Sequence, residues 1–211
     1  MGKTWALKHF GARSFARVAY INFDHNPRMA ALFAGDYDLN RLLLGLKIES
    51  GVDIQAADTL LIFDEIQEVP AALTALKYFA ENAPQFAVAA AGSLLGVSLH
   101  ANVSFPVGKV DFLRLYPMDF TKFLLALGQD ELLQLLQSRD WPLISALSSR
   151  YIELLRQYYF VGGMPEAVQC FVDGQNLAEV RQIQNNLLTG YGQDFSKHIG
   201  DGHTVQRVRA L

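Results

Sequence analysis

Three residues at the start of the chain, Gly2, Lys3 and Thr4, match the last three positions of the phosphate-binding P-loop pattern G-x-x-x-x-G-K-[ST]. In a complete loop of this kind the lysine ammonium contacts the β and γ phosphates, and the threonine hydroxyl binds Mg²⁺. Good helix formers follow over residues 3–9, and the amino end of a helix attracts anions through its free N–H groups. The pattern therefore predicts a helix that starts at a phosphate, with a chance occurrence of the three residues as the alternative.

Two adjacent acids, Asp64 and Glu65, follow directly on the apolar run TLLIF at residues 59–63. A run that is apolar on both faces is typical of a parallel strand buried between helix layers, and acids at its end form the Walker B arrangement. Phosphoryl transfer uses one carboxylate for the Mg²⁺ shell, here Asp64, and a second to orient or deprotonate the attacking water, here Glu65. The alternative is an acidic pair that caps the helix predicted to start at Pro70.

A third candidate, Ser93, follows the next buried run, FAVAAA at residues 86–91. A polar side chain at that point could sense the γ-phosphate or position a water molecule. An ordinary turn serine in the sequence AGS is the alternative.

The elements that must position these residues alternate between strands and helices in the first half of the chain. Strands are predicted at residues 18–23, 59–63 and 86–91, with helices at 38–46 and 70–80 and a helix from residue 3 that stops at Gly11. A further strand is predicted at 110–115, and helices are predicted at 143–160, 164–172 and 176–199. The predicted domains are an α/β domain with a parallel sheet at residues 1–120 and a helical region at residues 121–211.

Composition excludes several classes of function. The formal net charge of -3 disfavours DNA binding by overall charge, so contact with nucleic acid would require a local basic patch. No apolar run reaches the ~18 residues that a membrane span needs, and no signal sequence follows Met1. Cys170 is the only cysteine and can form no internal disulfide, which indicates a reducing compartment. We therefore expect a cytoplasmic protein without a membrane partner.

Six segments recur in one known family, and the match to it covers nearly the whole chain: GKTWAL, YINFD, LLIFDEIQ, AAAGSLLG, VGKVDFLRLYPMDFTKFL and FVGGMPEAV. The most specific parts of these segments are FDEIQ, YPMDF and GGMPE, which are much less generic than GKT. The chain resembles the prokaryotic AAA-type ATPases that carry a C-terminal DUF4143 domain. The resemblance implies a P-loop NTPase sheet of the ASCE type, binding of ATP and Mg²⁺, and a helical C-terminal domain that is linked to DNA in some relatives.

The sequence departs from that family in three places. Relatives have a strand and the first half of the P-loop before the GKT residues, and the printed sequence has neither. We expect their absence to remove ladder partners at the middle of the sheet and to leave nucleotide affinity weak or absent. Lys109 stands where relatives have arginine, which puts arginine-finger catalysis in doubt, and the chain ends at Leu211 where relatives continue.

The leading hypothesis is an ATPase that uses Lys3, Thr4, Asp64 and Glu65. One alternative is a non-catalytic module that senses a nucleotide or associates with DNA, and another is an inactive gene fragment. Homo-oligomerisation and the identity of a DNA or protein partner stay open. The nucleotide hypothesis requires that the GKT residues and the acidic pair lie close enough to share one ligand.

Overall fold

A computed structural model describes residues 2–92 and 108–198 of the chain. The chain divides into two compact units, Gly2–Arg114 and Leu115–Leu211. The division lies a few residues before the domain boundary predicted between residues 120 and 121. Ser93 lies outside the described residues.

The first unit alternates helices and parallel strands. In chain order its elements are α1 (Lys3–Ser14), β1 (Arg17–Asn22), α2 (Pro27–Phe33), α3 (Leu39–Ser50), β2 (Thr59–Asp64), a 3₁₀ turn (Ile66–Glu68), α4 (Pro70–Asn82) and β3 (Ala87–Ala90). Three of the four strands predicted in this part of the chain, those at 18–23, 59–63 and 86–91, are present within a residue or two of the predicted ends. The predicted α/β arrangement of a parallel sheet flanked by helices is therefore confirmed.

The sheet of the described residues has the order β1-β2-β3, and both strand pairs are parallel. The central strand, β2, is buried at every position, whereas β3 is only partly buried. This explains why the run TLLIF has no polar alternation: helices cover the sheet on both faces. Among the described residues, β2 is paired along both of its edges and β3 is paired with β2 alone. The expected gap in the sheet therefore does not lie between these three strands, and its effect on ladder partners stays a prediction.

The two faces of the sheet have different surroundings. Alternate residues of β1 and β2, among them Ile21 and Phe63, join the main hydrophobic core with side chains of α2, α3 and α4. The residues between them, which include Tyr20 and Asp64, project to the opposite face. Helix α1 lies on that second face, where Thr4 bonds to Asp64. One face is thus an apolar core, and the other presents both apolar side chains, such as Leu60, and the polar groups of Tyr20 and Asp64 to α1.

Helix α1 continues through Gly11 to Ser14, so the prediction that Gly11 ends the helix is wrong. Gly11 is buried, and a Cβ atom at this position would lie 2.7 Å from Cγ2 of Val18 and 3.2 Å from Cδ2 of Leu60. The glycine is there because the helix approaches β1 and β2 closely, and such a contact cannot be distinguished from a helix stop by sequence position alone.

Helix α3 has the ends that its sequence predicts. The Asp38 side chain accepts a hydrogen bond from the backbone N–H of Asn40, and Gly51 follows the helix with φ of 69°. These are an N-cap and a left-handed C-cap. The predicted helix at 38–46 is confirmed and extends one turn further, to Ser50.

Residues 110–115 form no strand, so the strand predicted there is wrong. The side chain of Leu113 is 98% exposed, and Phe112 and Leu115 are also exposed. An apolar run becomes a strand only when a neighbouring strand supplies hydrogen bonds. In the part of the chain that the structure describes, the sheet offers this segment no such pairing.

The described part of the second unit is helical. Its helices are α5 (Phe120–Ala126), α6 (Asp130–Ser138), α7 (Trp141–Ala146), α8 (Ser148–Val161), α9 (Pro165–Gly174) and α10 (Leu177–His198). The single helix predicted at 143–160 is two helices, with Leu147 as the residue between them. Within the described residues, no helix is both long enough and apolar enough to cross a membrane.

Two of the most specific sequence motifs of this unit contact each other. The backbone N–H of Met118, in YPMDF, donates to the carbonyl of Gly163, in GGMPE, at 2.7 Å. The Tyr158 hydroxyl donates to the Met118 carbonyl at 2.9 Å. A Cβ atom on Gly163 would lie 2.1 Å from that same carbonyl oxygen. Gly163 is therefore required by a close backbone contact.

Replacing Gly163 by alanine is expected to destabilise the chain by ~3 kcal/mol, at the upper end of overpacking costs, because the group in the way is backbone. Urea denaturation measures the change. Gly190→Ala is the matched control, since Gly190 is an exposed helical glycine and a Cβ atom added to it would have no neighbour within 4 Å. This control should gain up to ~1 kcal/mol in helix propensity. Similar effects of the two substitutions would contradict the prediction.

Candidate functional site

The amino end of α1 meets the carboxyl end of β2. The Thr4 hydroxyl donates a hydrogen bond to Oδ2 of Asp64 at 2.6 Å, across 60 positions of sequence. Helix α1 leads back into β1, which runs parallel to β2, so the start of the helix lies at the edge of the sheet where the strands end. The structure thus brings Thr4 of the GKT residues and Asp64 of the acidic pair into direct contact.

The start of α1 has free donors for an anion. Gly2 precedes the helix with φ of 87°, and the first intrahelical bond runs from the N–H of Ala6 to the Gly2 carbonyl. The preceding N–H groups, those of Lys3, Thr4 and Trp5, have no carbonyl within the helix to bond. No side chain caps this end among the residues that the structure describes. These donors and the positive end of the helix dipole favour a negatively charged ligand.

Asp64 is almost fully buried, with 4% of its surface exposed. Its Oδ2 accepts hydrogen bonds from Thr4 and from the Tyr20 hydroxyl, at 2.6 and 2.9 Å. Its Oδ1 is buried and has no hydrogen-bond partner among the described residues. A buried carboxylate oxygen without a donor is costly, and a cation or a water bound to a cation would provide the missing partner.

The donor set of this site fits Mg²⁺ better than a transition metal. The described residues contain no group of three or more His, Cys, Asp or Glu side chains arranged to hold a metal ion. Mg²⁺ takes oxygen ligands, is bound through one or two carboxylates, and keeps several waters and phosphate oxygens in its shell. One carboxylate and one hydroxyl, Asp64 and Thr4, match that requirement.

Glu65 has an unusual backbone conformation, with φ of 51° and ψ of 42°. The left-handed region is unfavourable for a non-glycine residue, and such strain is concentrated at functional sites. The half-buried Glu65 side chain accepts a hydrogen bond from Nε2 of Gln67 at 2.6 Å, and Gln67 itself is only 5% exposed. The acidic pair does not cap α4, whose N-cap residue is Val69 and lacks a side-chain cap. Glu65 is therefore a separately positioned carboxylate.

Two residues of this site were not identified as candidates from the sequence. Tyr20 bonds to Asp64, and Nζ of Lys8 lies 3.5 Å from the centroid of the Tyr20 ring, within cation–π range. Gln67 holds Glu65. Their position in motifs could have marked them as candidates, since Tyr20 belongs to YINFD and Gln67 to LLIFDEIQ. A motif does not show which face of a strand a residue occupies, so their contacts could not be derived.

The remaining sequence candidates are not brought to this site by any described contact. Lys3 is half-buried at the first position of α1. The Lys109 ammonium lies 3.4 Å from Glu81, and both side chains are substantially exposed. An ion pair of this kind suits the interpretation of Lys109 as a solvated lysine and adds little stability.

Comparison with protein families found two matches. The model of the family described as AAA domain matches residues 1–124, and the model of a domain of unknown function, DUF8612, matches residues 152–211. The second match is a different family from the DUF4143 domain that the sequence resemblance implies. No curated protein and no solved structure matches the chain.

The Tyr20 hydroxyl makes stability depend on pH at the alkaline end. Burial, followed by the hydrogen bond and charge of Asp64 and then the charge of Glu65, raises the Tyr20 pKa from 10.0 to about 12. The pKa of Tyr20 is higher in the folded protein than in the unfolded chain. Its contribution to the free energy of unfolding is therefore fully present below pH 10 and is lost as the pH rises through about 12. The difference in unfolding free energy between the wild type and Tyr20→Phe should therefore shrink across this window. A difference that does not change with pH would contradict the assignment.

Proposed function

Because the chain belongs to the AAA domain family, we propose that it binds ATP together with Mg²⁺ where the amino end of α1 meets the acidic end of β2. The observation that supports this most is the 2.6 Å hydrogen bond between Thr4 and Asp64. A hydroxyl and a carboxylate in contact at the start of a helix combine a cation site with an anion site. Mg-ATP requires both at one point.

The phosphates would be bound by the start of α1. The free N–H groups at this end and the Lys3 ammonium supply positive charge, and Gly2 in its left-handed conformation allows the backbone to turn into the helix. Lys3 is assigned to the β and γ phosphates, and Gly2, Lys3 and Thr4 are together the nucleotide-binding residues.

Thr4 and Asp64 would hold the magnesium ion. Since Thr4 donates its hydroxyl hydrogen to Asp64, the lone pairs of its oxygen are left for a cation. When bound, Mg²⁺ neutralises charge that develops on the β and γ phosphate oxygens. Asp64 would keep Thr4 oriented, and its buried Oδ1, which has no partner among the described residues, would accept hydrogen bonds from the hydrated ion.

Glu65 would activate the water that attacks the γ-phosphate. A carboxylate next to the residue of the magnesium site is at the right place in the chain for this role, and Gln67 limits its movement through the 2.6 Å bond. Ser93 is proposed to sense the γ-phosphate or to position the water molecule. The enzyme class that follows is ATP hydrolase.

A second candidate function is a switch that binds ATP without hydrolysing it. The observation that favours it is the same bond, because Oε2 of Glu65 is engaged by Gln67 and Oε1 would have to be the oxygen that faces the attacking water. In this case ATP binding would change the state of the helical region or of a partner, and turnover would be absent.

The first test concerns the part of the P-loop pattern that the printed sequence does not contain. ATP binding and hydrolysis are compared between this chain and a version in which a β-strand and the first positions of the pattern precede Gly2. For residues 1–211 alone we expect an ATP dissociation constant on the order of millimolar and no turnover. For the extended version we expect tighter binding and measurable turnover, because the added backbone N–H groups wrap the phosphates. Absence of binding in both versions would refute the proposed site.

The second test separates an enzyme from a switch. In the extended version, Glu65→Gln should retain ATP binding and lower kcat at least ~100-fold, the range for loss of a general base. Glu68→Gln is the matched control, because Glu68 ends the 3₁₀ turn that follows Glu65 and has an exposed side chain. Unchanged turnover in Glu65→Gln, measured by phosphate release, would exclude Glu65 as the base. A wild type that binds ATP without turnover would support the switch.

A further inference from the structure

Tyr20 joins the start of α1 to the acidic end of β2. It lies on β1, two residues before the strand ends, and the last residue of β1, Asn22, is in register with Asp64. From there its hydroxyl reaches Oδ2 of Asp64 at 2.9 Å, and its ring lies under the Lys8 ammonium. Lys8 and Thr4 are one helical turn apart on α1, so they lie on the same side of the helix. Tyr20 is thus in contact with both components of the proposed site.

The Asp64 carboxylate is asymmetric because of these contacts. Both of its protein donors, Thr4 and Tyr20, bond to Oδ2, and Oδ1 has no donor among the described residues. Rotation of the carboxylate about its Cβ–Cγ bond would move Oδ2 away from both donors at once. One hydrogen bond from Thr4 would restrain that rotation, and the second donor on the same oxygen restrains it more strongly.

We propose that Tyr20 is a positioning residue for the magnesium-bound nucleotide, because its hydroxyl fixes the Asp64 carboxylate so that Oδ1 is the oxygen available to the hydrated cation. The inference rests on the proposed function and adds the residue that orients its magnesium site. Tyr20 does not contact the cation or the phosphates itself. It acts through Asp64, and its effect should appear only when Mg²⁺ is present.

A purely structural role would have different consequences. If Tyr20 only attached α1 to the sheet, its ring and the contact with Lys8 would be the important features, and their loss would weaken binding of ATP with and without the metal. Tyr20→Phe keeps the ring and removes only the hydroxyl. Lys8→Gln removes the cation above the ring and leaves the hydrogen bond to Asp64 in place. The two variants therefore distinguish orientation of Asp64 from attachment of the helix.

The experiment is a titration with ATP, once with excess Mg²⁺ and once with EDTA. Trp5 is adjacent to Thr4 and reports binding by its fluorescence in a Trp141→Phe background, where it is the remaining tryptophan. Tyr78→Phe is the control for loss of a tyrosine hydroxyl, because Tyr78 stacks on Tyr37 beside the main core. The printed chain and the extended version are both titrated.

Tyr20→Phe is expected to weaken binding of Mg-ATP about tenfold, the effect of losing one hydrogen bond to a charged group, and to leave metal-free ATP binding within about twofold. Lys8→Gln and Tyr78→Phe should not change the ratio of the two affinities. Equal weakening with and without Mg²⁺, or no weakening, would overturn the role of Tyr20 and leave the proposed function intact. If the wild type binds ATP in neither version, the proposed function fails, and this inference fails with it.

Discussion

The hydrogen bond between Thr4 and Asp64 is the interaction on which the arrangement of the site depends. It requires α1 to start at the carboxyl end of β2 and to lie close against the sheet, where its Gly11 packs on Val18 and Leu60. Gly11 makes the close approach possible two turns further along, since a Cβ atom there would lie 2.7 Å from the Val18 side chain. Lys8, above the ring of Tyr20, contacts the same face between these two points. A change at Gly11 would therefore be transmitted to Thr4 through the helix.

The burial of Asp64 has an energetic consequence. A carboxylate on a strand that is buried at every position is stable only if hydrogen bonds replace the water it has lost. Among the described residues, Thr4 and Tyr20 supply donors to one oxygen and none reaches the other, so these residues solvate half of the group. Under the proposed function, a hydrated cation completes this solvation. The oriented carboxylate would then be an example of preorganisation, because its alignment is established during folding and costs nothing when the ligand binds.

The sequence was sufficient for the parts of the structure that follow from continuous patterns. Runs such as TLLIF identified the strands, and the order of strands and helices made it possible to expect Thr4 and Asp64 at one edge of the sheet. It was insufficient where an outcome depends on a partner distant in sequence. Gly11 marks a close contact and not a helix end, the segment 110–115 lacks a strand to pair with, and the contact of Tyr20 with Asp64 depends on the register of β1 and β2.

The specific motifs of the chain have two different physical origins. FDEIQ lies at the carboxyl end of β2, the central strand. There Thr4 bonds to the Asp64 side chain and Gln67 to the Glu65 side chain, and the pairing of the strand does not require either contact. GGMPE and YPMDF instead meet through backbone groups, and Gly163 is explained by its distance to the Met118 carbonyl alone. A motif that is specific to a family therefore need not contain residues that bind a ligand or catalyse a reaction. Packing alone explains the residues through which these two motifs contact each other. Residues of the helical unit that bind a ligand or partner are therefore to be sought among its exposed side chains.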